Sequence, residues 1–272
     1  MPNILNDWQT AVTQEVISAA NPNWNEPELE KILKAAIKTC AEWCMSCNKD
    51  GWIFMTLSGG LDSSFCLAII RQLFPKAVIS TYTIGGNKEH PDIMYARTIS
   101  KIFGANHVEI VPTGYDKNNE EIYWKKAFQN AFPKVQTPTG GDIAVFTVYR
   151  TMALNGANAV IAHDGIDELL GGYWPHRGNV GLNQEEAFRD FWRQLVPKHL
   201  KPLQRDADHF KIKLLLPYLQ LPAVKYIAGI PVHERTSHEE SKIPLRNIAR
   251  KYLLLEIIER KKVGFCSGLD KF

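Results

Sequence analysis

Residues 53–70 read IFMTLSGGLDSSFCLAII: an apolar run enters a Ser-Gly-Gly turn, and a second run with helical spacing leaves it. This strand–turn–helix unit begins a series. Trp52 to Leu57 reads as a short buried strand, and Ser63 to Phe74 as a helix stopped by Pro75. Ala77 to Ile84 reads as a β-branched strand ending at Gly85-Gly86, and Pro91 to Phe103 as a helix stopped by Gly104. His107 to Val111 is a further strand, residues 142–154 a helix closed by Asn155-Gly156, and Ala159 to Ala162 another strand. The alternation predicts an α/β fold: a doubly wound parallel sheet with right-handed crossovers and a ligand site at the carboxyl ends of its strands.

The flanking segments read as helical. Residues 27–48 have an amphipathic period, with Leu29, Ile32, Ala36 and Cys40 near one face. Trp8, Val12, Val16 and Ile17 suggest a further helical stripe upstream. After about residue 180 the pattern turns helical, interrupted by Pro217, Pro222 and Pro231. The expected organisation is an N-terminal helical extension over 1–27, an α/β lobe over 28–180 and a helical lobe over 181–272.

Composition narrows the class. Of 272 residues, 45% are hydrophobic and 22% charged, as in an ordinary globular chain. A net charge of +3 argues for neither nucleic acid nor a membrane surface as partner. No apolar window approaches the roughly 18–20 residues of a membrane span. The segment MPNILNDWQTAVTQEV lacks a basic stretch followed by an apolar core, and five cysteines imply no disulfide scaffold. A reducing cytoplasm is the expected location.

The turn after the first strand holds the chemistry. Gly59 and Gly60 let the backbone approach a bulky anion, and the N–H groups of the turn and following helix converge on one spot. Ser58, Ser63 and Ser64 add hydroxyl donors. No Gly-x-x-x-x-Gly-Lys is present, so the loop is not a Walker A motif. Asp62 would repel a phosphate chain here unless a divalent cation stood between them. Magnesium shared by carboxylates and phosphate oxygens resolves the conflict, so the carboxylate marks a metal–nucleotide site.

LSGGLDSS resembles the signature of the PP-loop, or ATP pyrophosphatase, superfamily. VIAHDGIDELLGGYWPHR, residues 160–177, is similar to the Gly-x-Gly-Ser-Asp-Glu-x-Phe-Gly-Gly-Tyr segment of the asparagine synthetase and β-lactam synthetase family. TYTIGGNKEHPDIMYARTISKIFGANHVEI resembles that family's second strand and following helix. LLLPYLQLP resembles its Val-Pro-Phe-Leu-Asp stretch, and RKKVGFCSG its C-terminal lysine motif. The likeness runs from about residue 28 to 268.

The resemblance implies cleavage of ATP between its α- and β-phosphates, with adenylation of a substrate oxygen and release of pyrophosphate. It implies magnesium on Asp62 and Asp167, and an adenine framed by the backbone at Leu57 and Ile84, with Gly85 beside it. Lys262 matches the lysine that neutralises charge on the transferring phosphate and the attacked acyl group. Arg260-Lys261-Lys262 alone would read as a solvated basic tail, but the apolar, glycine-containing Val263-Gly264-Phe265 favours a loop folded into the site. Read alone, Asp167 could instead cap its helix.

Three departures from the family pattern bear on specificity. Ala162-His163 replaces a Ser-Gly pair, which brings an imidazole to the nucleotide or acceptor. Asp164 replaces a glutamate and could orient or deprotonate an attacking amine. Only about 50 residues precede the cradle, too few for the N-terminal glutaminase domain of asparagine synthetases. Nitrogen is therefore expected from ammonia, an amine or a partner protein, with glutamine inert. A small-molecule substrate is implied, and a homodimer is compatible with the sequence.

Cys40, Cys44 and Cys47 have the spacing of a radical-SAM cluster loop, but also that of one helical face, and their flanks are helical. A packing stripe is the expectation. Cys266 follows Lys262 closely enough to reach the site, and is the candidate sulfur carrier if the enzyme thiolates its substrate. Two functions stand: an ATP-dependent amide-forming ligase, and an adenylating sulfurtransferase.

Overall fold

The computed structural model describes residues 7–111, 119–178 and 183–260. Five strands form one sheet: β1 (Ile53–Thr56), β2 (Ile79–Ile84), β3 (Asn106–Ile110), β4 (Ala159–Ile161) and β5 (Lys213–Leu215). Their order is β3-β2-β1-β4-β5, and every neighbouring pair is parallel. Ile53 lies opposite Ile79 across β1 and β2, and Met55 opposite Ile161 across β1 and β4. β1 and β2 are buried almost throughout, as sheets covered on both faces require.

The sheet is doubly wound, and adjacent residues of β2 demonstrate it. Thr81 shares a 2.9 Å hydrogen bond with Ser100 of the helix Pro91–Ile102. Tyr82, pointing the opposite way, accepts a 2.9 Å bond from Asn155, which closes the helix Gly140–Leu154. Those two helices therefore cover opposite faces. The long helix Glu26–Cys47 starts at an Asn25 cap, and buries Leu29, Leu33, Ala36, Ile37, Cys40, Ala41 and Cys44. The Cys44 thiol donates to the Ala159 carbonyl at 3.3 Å, and burial pushes its pKa up to about 12. Cys40 is likewise a core residue, so two members of that stripe have the packing role expected of it, while Cys47 is half-buried. Cys66, in the helix Leu61–Leu73, is also buried.

Two expectations need correction. The segment after residue 180 is not wholly helical: Lys213–Leu215 joins the sheet as its edge strand beside β4. Three residues are too few for a readable period, and partner hydrogen bonds alone make them a strand. The N-terminal stripe is not one helix either. Helix Asp7–Ala11 is followed by turns, and Ser18 and Asn21 donate through their backbones to the carbonyls of Ala228 and Gly229. Trp8 and Val16 still enter the core, but tertiary contacts seat them without helical continuity.

Candidate active site

The strand order reverses direction between β1 and β4, and this switch point opens at the carboxyl end of the sheet. The turn after β1 lies there. Gly59 has φ +67°, and a Cβ on it would come within 2.4 Å of the Ala96 backbone nitrogen. Only glycine lets the turn settle against the helix Pro91–Ile102. The Ser58 backbone N–H donates to Ser63 Oγ and the Gly60 N–H to Ser58 Oγ, each at 3.3 Å. Ser64 Oγ is enclosed, with no hydrogen-bond partner among the described residues. Leu57 and Ile84 end adjacent strands, joined where the Leu57 N–H donates to the Tyr82 carbonyl at 2.8 Å. Gly85 follows, with its N–H on the Ile110 carbonyl.

Asp62 stands in the first turn of the helix Leu61–Leu73, and its backbone carbonyl accepts from the Tyr218 hydroxyl at 2.7 Å. Asp167 stands on the short helix Ile166–Leu170 after β4. It is not that helix's cap: Gly165, at φ +94°, takes that position. The two carboxylates converge on one cation. Lys242 Nζ lies 2.7 and 2.6 Å from the Asp62 carboxylate oxygens and 2.7 Å from Asp167 Oδ1. A Cβ at Gly172 would sit 1.7 Å from Asp167 Oδ1 and 2.8 Å from Lys242 Cε. Gly172 is therefore the vacancy into which the Asp167 carboxylate fits. Two carboxylate groups sharing one position suit a hard divalent cation such as magnesium. The residues present fit it.

Glu168, 2% exposed, adjoins Asp167 and accepts from the Tyr173 hydroxyl at 3.0 Å. Burial, then the neighbouring Asp167 charge, pushes its pKa up to about 7. His163 leaves β4 with Nδ1 3.3 Å from Thr56 Oγ1, so it bridges the ends of β4 and β1. Burial pushes its pKa down to about 3, and its Nε2 is enclosed without a hydrogen-bond partner among the described residues. A neutral imidazole thus stands where a glycine was expected. Asp164 follows it, near enough to help raise the pKa values of Tyr173 and Glu168.

Lys242 and Arg260 were not singled out from the sequence. Arg260 donates to the Ser58 carbonyl at 2.8 Å, pairs with Asp92 and lies 4.5 Å over the Tyr95 ring. It clamps the chain onto the Ser58 turn, unlike the solvated tail that the tripeptide alone suggests. The loop folded into the site that Val263-Gly264-Phe265 favours lies outside the described residues. Lys262 and Cys266 lie outside the described residues. Lys242 had no local signal, because its partner Asp62 is 180 residues away.

The family model for asparagine synthase matches residues 33–211 and 184–271. An asparagine synthetase from Arabidopsis thaliana, described as glutamine-hydrolyzing, is 30% identical over 236 residues, covering 78% of this chain and 39% of that protein. One from Oryza sativa is 25% identical over 237 residues, at 78% and 38% coverage. A putative one from Methanocaldococcus jannaschii is 27% identical over 160 residues, at 56% and 28%. The chain thus spans less than two-fifths of the length of these relatives. Among solved structures, an NMN synthetase from Francisella tularensis aligns over 85% of this chain and 90% of that one, at TM-score 0.37 and 12% identity, too remote to bear on function. The matched segments cover both the cradle and the Asp167 helix, and the chain belongs to the asparagine synthase family.

Proposed function

We propose that this chain is an ATP-dependent ligase that forms AMP and pyrophosphate. It activates a carboxylate or carbonyl oxygen of a small molecule by adenylation, then transfers the activated group to ammonia or an amine. The observation that carries the reading is the convergence of Asp62 and Asp167 on one cation position beside a glycine cradle at the sheet's switch point. A Walker-type kinase would have a lysine in the loop itself; here the loop offers a carboxylate.

Each residue has a task in that reaction. The turn Ser58–Gly60 and the start of the following helix supply donors for phosphate oxygens, with Ser63 and Ser64 as hydroxyl donors. Leu57, Ile84 and Gly85 border the space for adenine. Asp62 and Asp167 would hold magnesium, which supplies positive charge to offset that of the phosphates. Lys262 would neutralise charge as pyrophosphate leaves and again as the acyl carbon is attacked. Asp164 would take a proton from the incoming amine, and His163 would border the acceptor.

The sulfurtransferase alternative loses support at three thiols. Cys40, Cys44 and Cys66 are buried, with burial raising the pKa of Cys44 and Cys66, so none is a ready nucleophile. Incubation with ATP, ammonium and candidate acids, with nucleotide products separated by chromatography, tests the proposal. AMP and pyrophosphate are expected; ADP and phosphate would refute it. For these 272 residues taken alone, ammonium or an amine should support product formation and glutamine should not. Sulfide as the sole productive donor would restore the alternative, with Cys266 as its carrier.

A further inference from the structure

We infer that Lys242 is a built-in counter-ion that keeps a divalent metal out of the Asp62–Asp167 site until the nucleotide arrives, so that metal and nucleotide enter together. The inference rests on the nucleotide reading of this site, but concerns a different property: the order of binding.

Three observations carry it. First, the ammonium occupies the shared cation position, within 2.7 Å of three oxygens from both carboxylates, and the residue is 4% exposed. An ion arriving alone must displace a charge that is already paired and desolvated. Second, the lysine is held from both ends. Its backbone sits in the left-handed region at φ 56°, a conformation that non-glycine residues adopt at a cost. Its N–H donates to the Leu170 carbonyl at 3.2 Å, and its Cε would come 2.8 Å from a Cβ at Gly172. The held backbone thus places the ammonium between the aspartates, while the rotatable bonds of its stem let the charged end swing to a new partner.

Third, the protein offers a bare metal little in return. Among the described residues, no group of three or more His, Cys, Asp or Glu could hold a metal ion. Two aspartates leave an octahedral ion to find its other oxygens in water or phosphate. A triphosphate changes the balance twice: it completes the metal's shell, and it gives the displaced ammonium phosphate oxygens to pair with. Lys242 therefore changes partner from aspartate to phosphate as the metal enters, and no buried cation is left unpaired.

The test measures manganese binding by electron paramagnetic resonance, on the full chain without nucleotide and with α,β-methylene-ATP. Wild-type protein should bind manganese weakly alone and tightly with the analogue. Lys242→Met should bind manganese alone at least ~10-fold more tightly than wild type, since a like charge has been removed from the site. Lys242→Arg, which keeps the charge, should stay weak. Tight manganese binding by nucleotide-free wild type overturns the inference, as does equal affinity of wild type and a folded Lys242→Met. If the Met variant does not fold, Lys242→Gln replaces it, and the wild-type comparison without and with analogue decides by itself. Failure of the analogue to bind at all would instead count against the nucleotide reading, and the metal-alone comparison between wild type and variant would still stand.

Discussion

Two buried cations on one stretch of chain, Arg235 and Lys242, are held in opposite ways. Both secure the end of the helix that carries Asp167: Arg235 donates to the Leu169 carbonyl at 3.2 Å and the Lys242 N–H to the Leu170 carbonyl at 3.2 Å. The Arg235 guanidinium is fully buried and also donates to the carbonyls of Ile230, Val16 and Ala228, each at 2.8 Å. These acceptors are all neutral carbonyls, and burial pushes its pKa down to about 9. Lys242 faces carboxylates instead. A planar fork of donors joins distant backbone segments permanently, while a point charge on a flexible stem can change partner. The first arrangement holds the Asp167 helix in place; the second, on the inference drawn above, would change partner when nucleotide binds.

Five perturbations test this contrast. The largest effect is expected from Arg235→Met, which leaves carbonyls from three segments without their donor. It should cost about 3–5 kcal/mol, since several buried carbonyls lose a donor at about 1–3 kcal/mol each. Denaturant unfolding measures it, and a loss below about 1 kcal/mol would remove Arg235's structural role. A pH series comes next, on the same helix. Folded Glu168 keeps a proton to about pH 7, whereas an unfolded glutamate releases it near its ordinary value of 4.5. Stability should therefore fall as pH rises between those values, by roughly 3 kcal/mol if the whole shift is realised. Glu168→Gln should flatten that slope; an unchanged slope would place its origin elsewhere.

The operating side of the contrast is tested through turnover. Lys262→Ala should lower turnover by roughly 100-fold or more with little change in KM, as expected for a charge that acts on the transition state. Normal turnover would return the C-terminal segment to a solvated tail. Asp62→Asn and Asp167→Asn should each lose metal-dependent turnover while circular dichroism stays native. The smallest effect is expected at a surface cation. Arg97 pairs with Glu109 while half exposed, and Arg97→Ala should leave the unfolding midpoint nearly unmoved. A large shift there would show that burial is not what separates these cations.

What the sequence determined by itself was local. A buried strand, two glycines, a carboxylate and a helix lie within one short run, so Asp62 and its cradle were readable from order and spacing. Asp167 was readable for the same reason, since it follows β4 on the next helix. The long helix Glu26–Cys47 was legible because it spans enough turns for its period to emerge. Only the tertiary structure decided the rest. β5 is a strand because β4 offers its backbone hydrogen bonds, and His163 Nε2 finds no partner among the described residues because of what surrounds it. Lys242 looks like any lysine before a proline-bearing helix start, and Arg260 like part of a basic tail. Their partners are 180 and 202 residues away in the chain. Periodicity and turn chemistry encode neighbours along the chain; a charge pair closed by the fold leaves no mark on either neighbourhood.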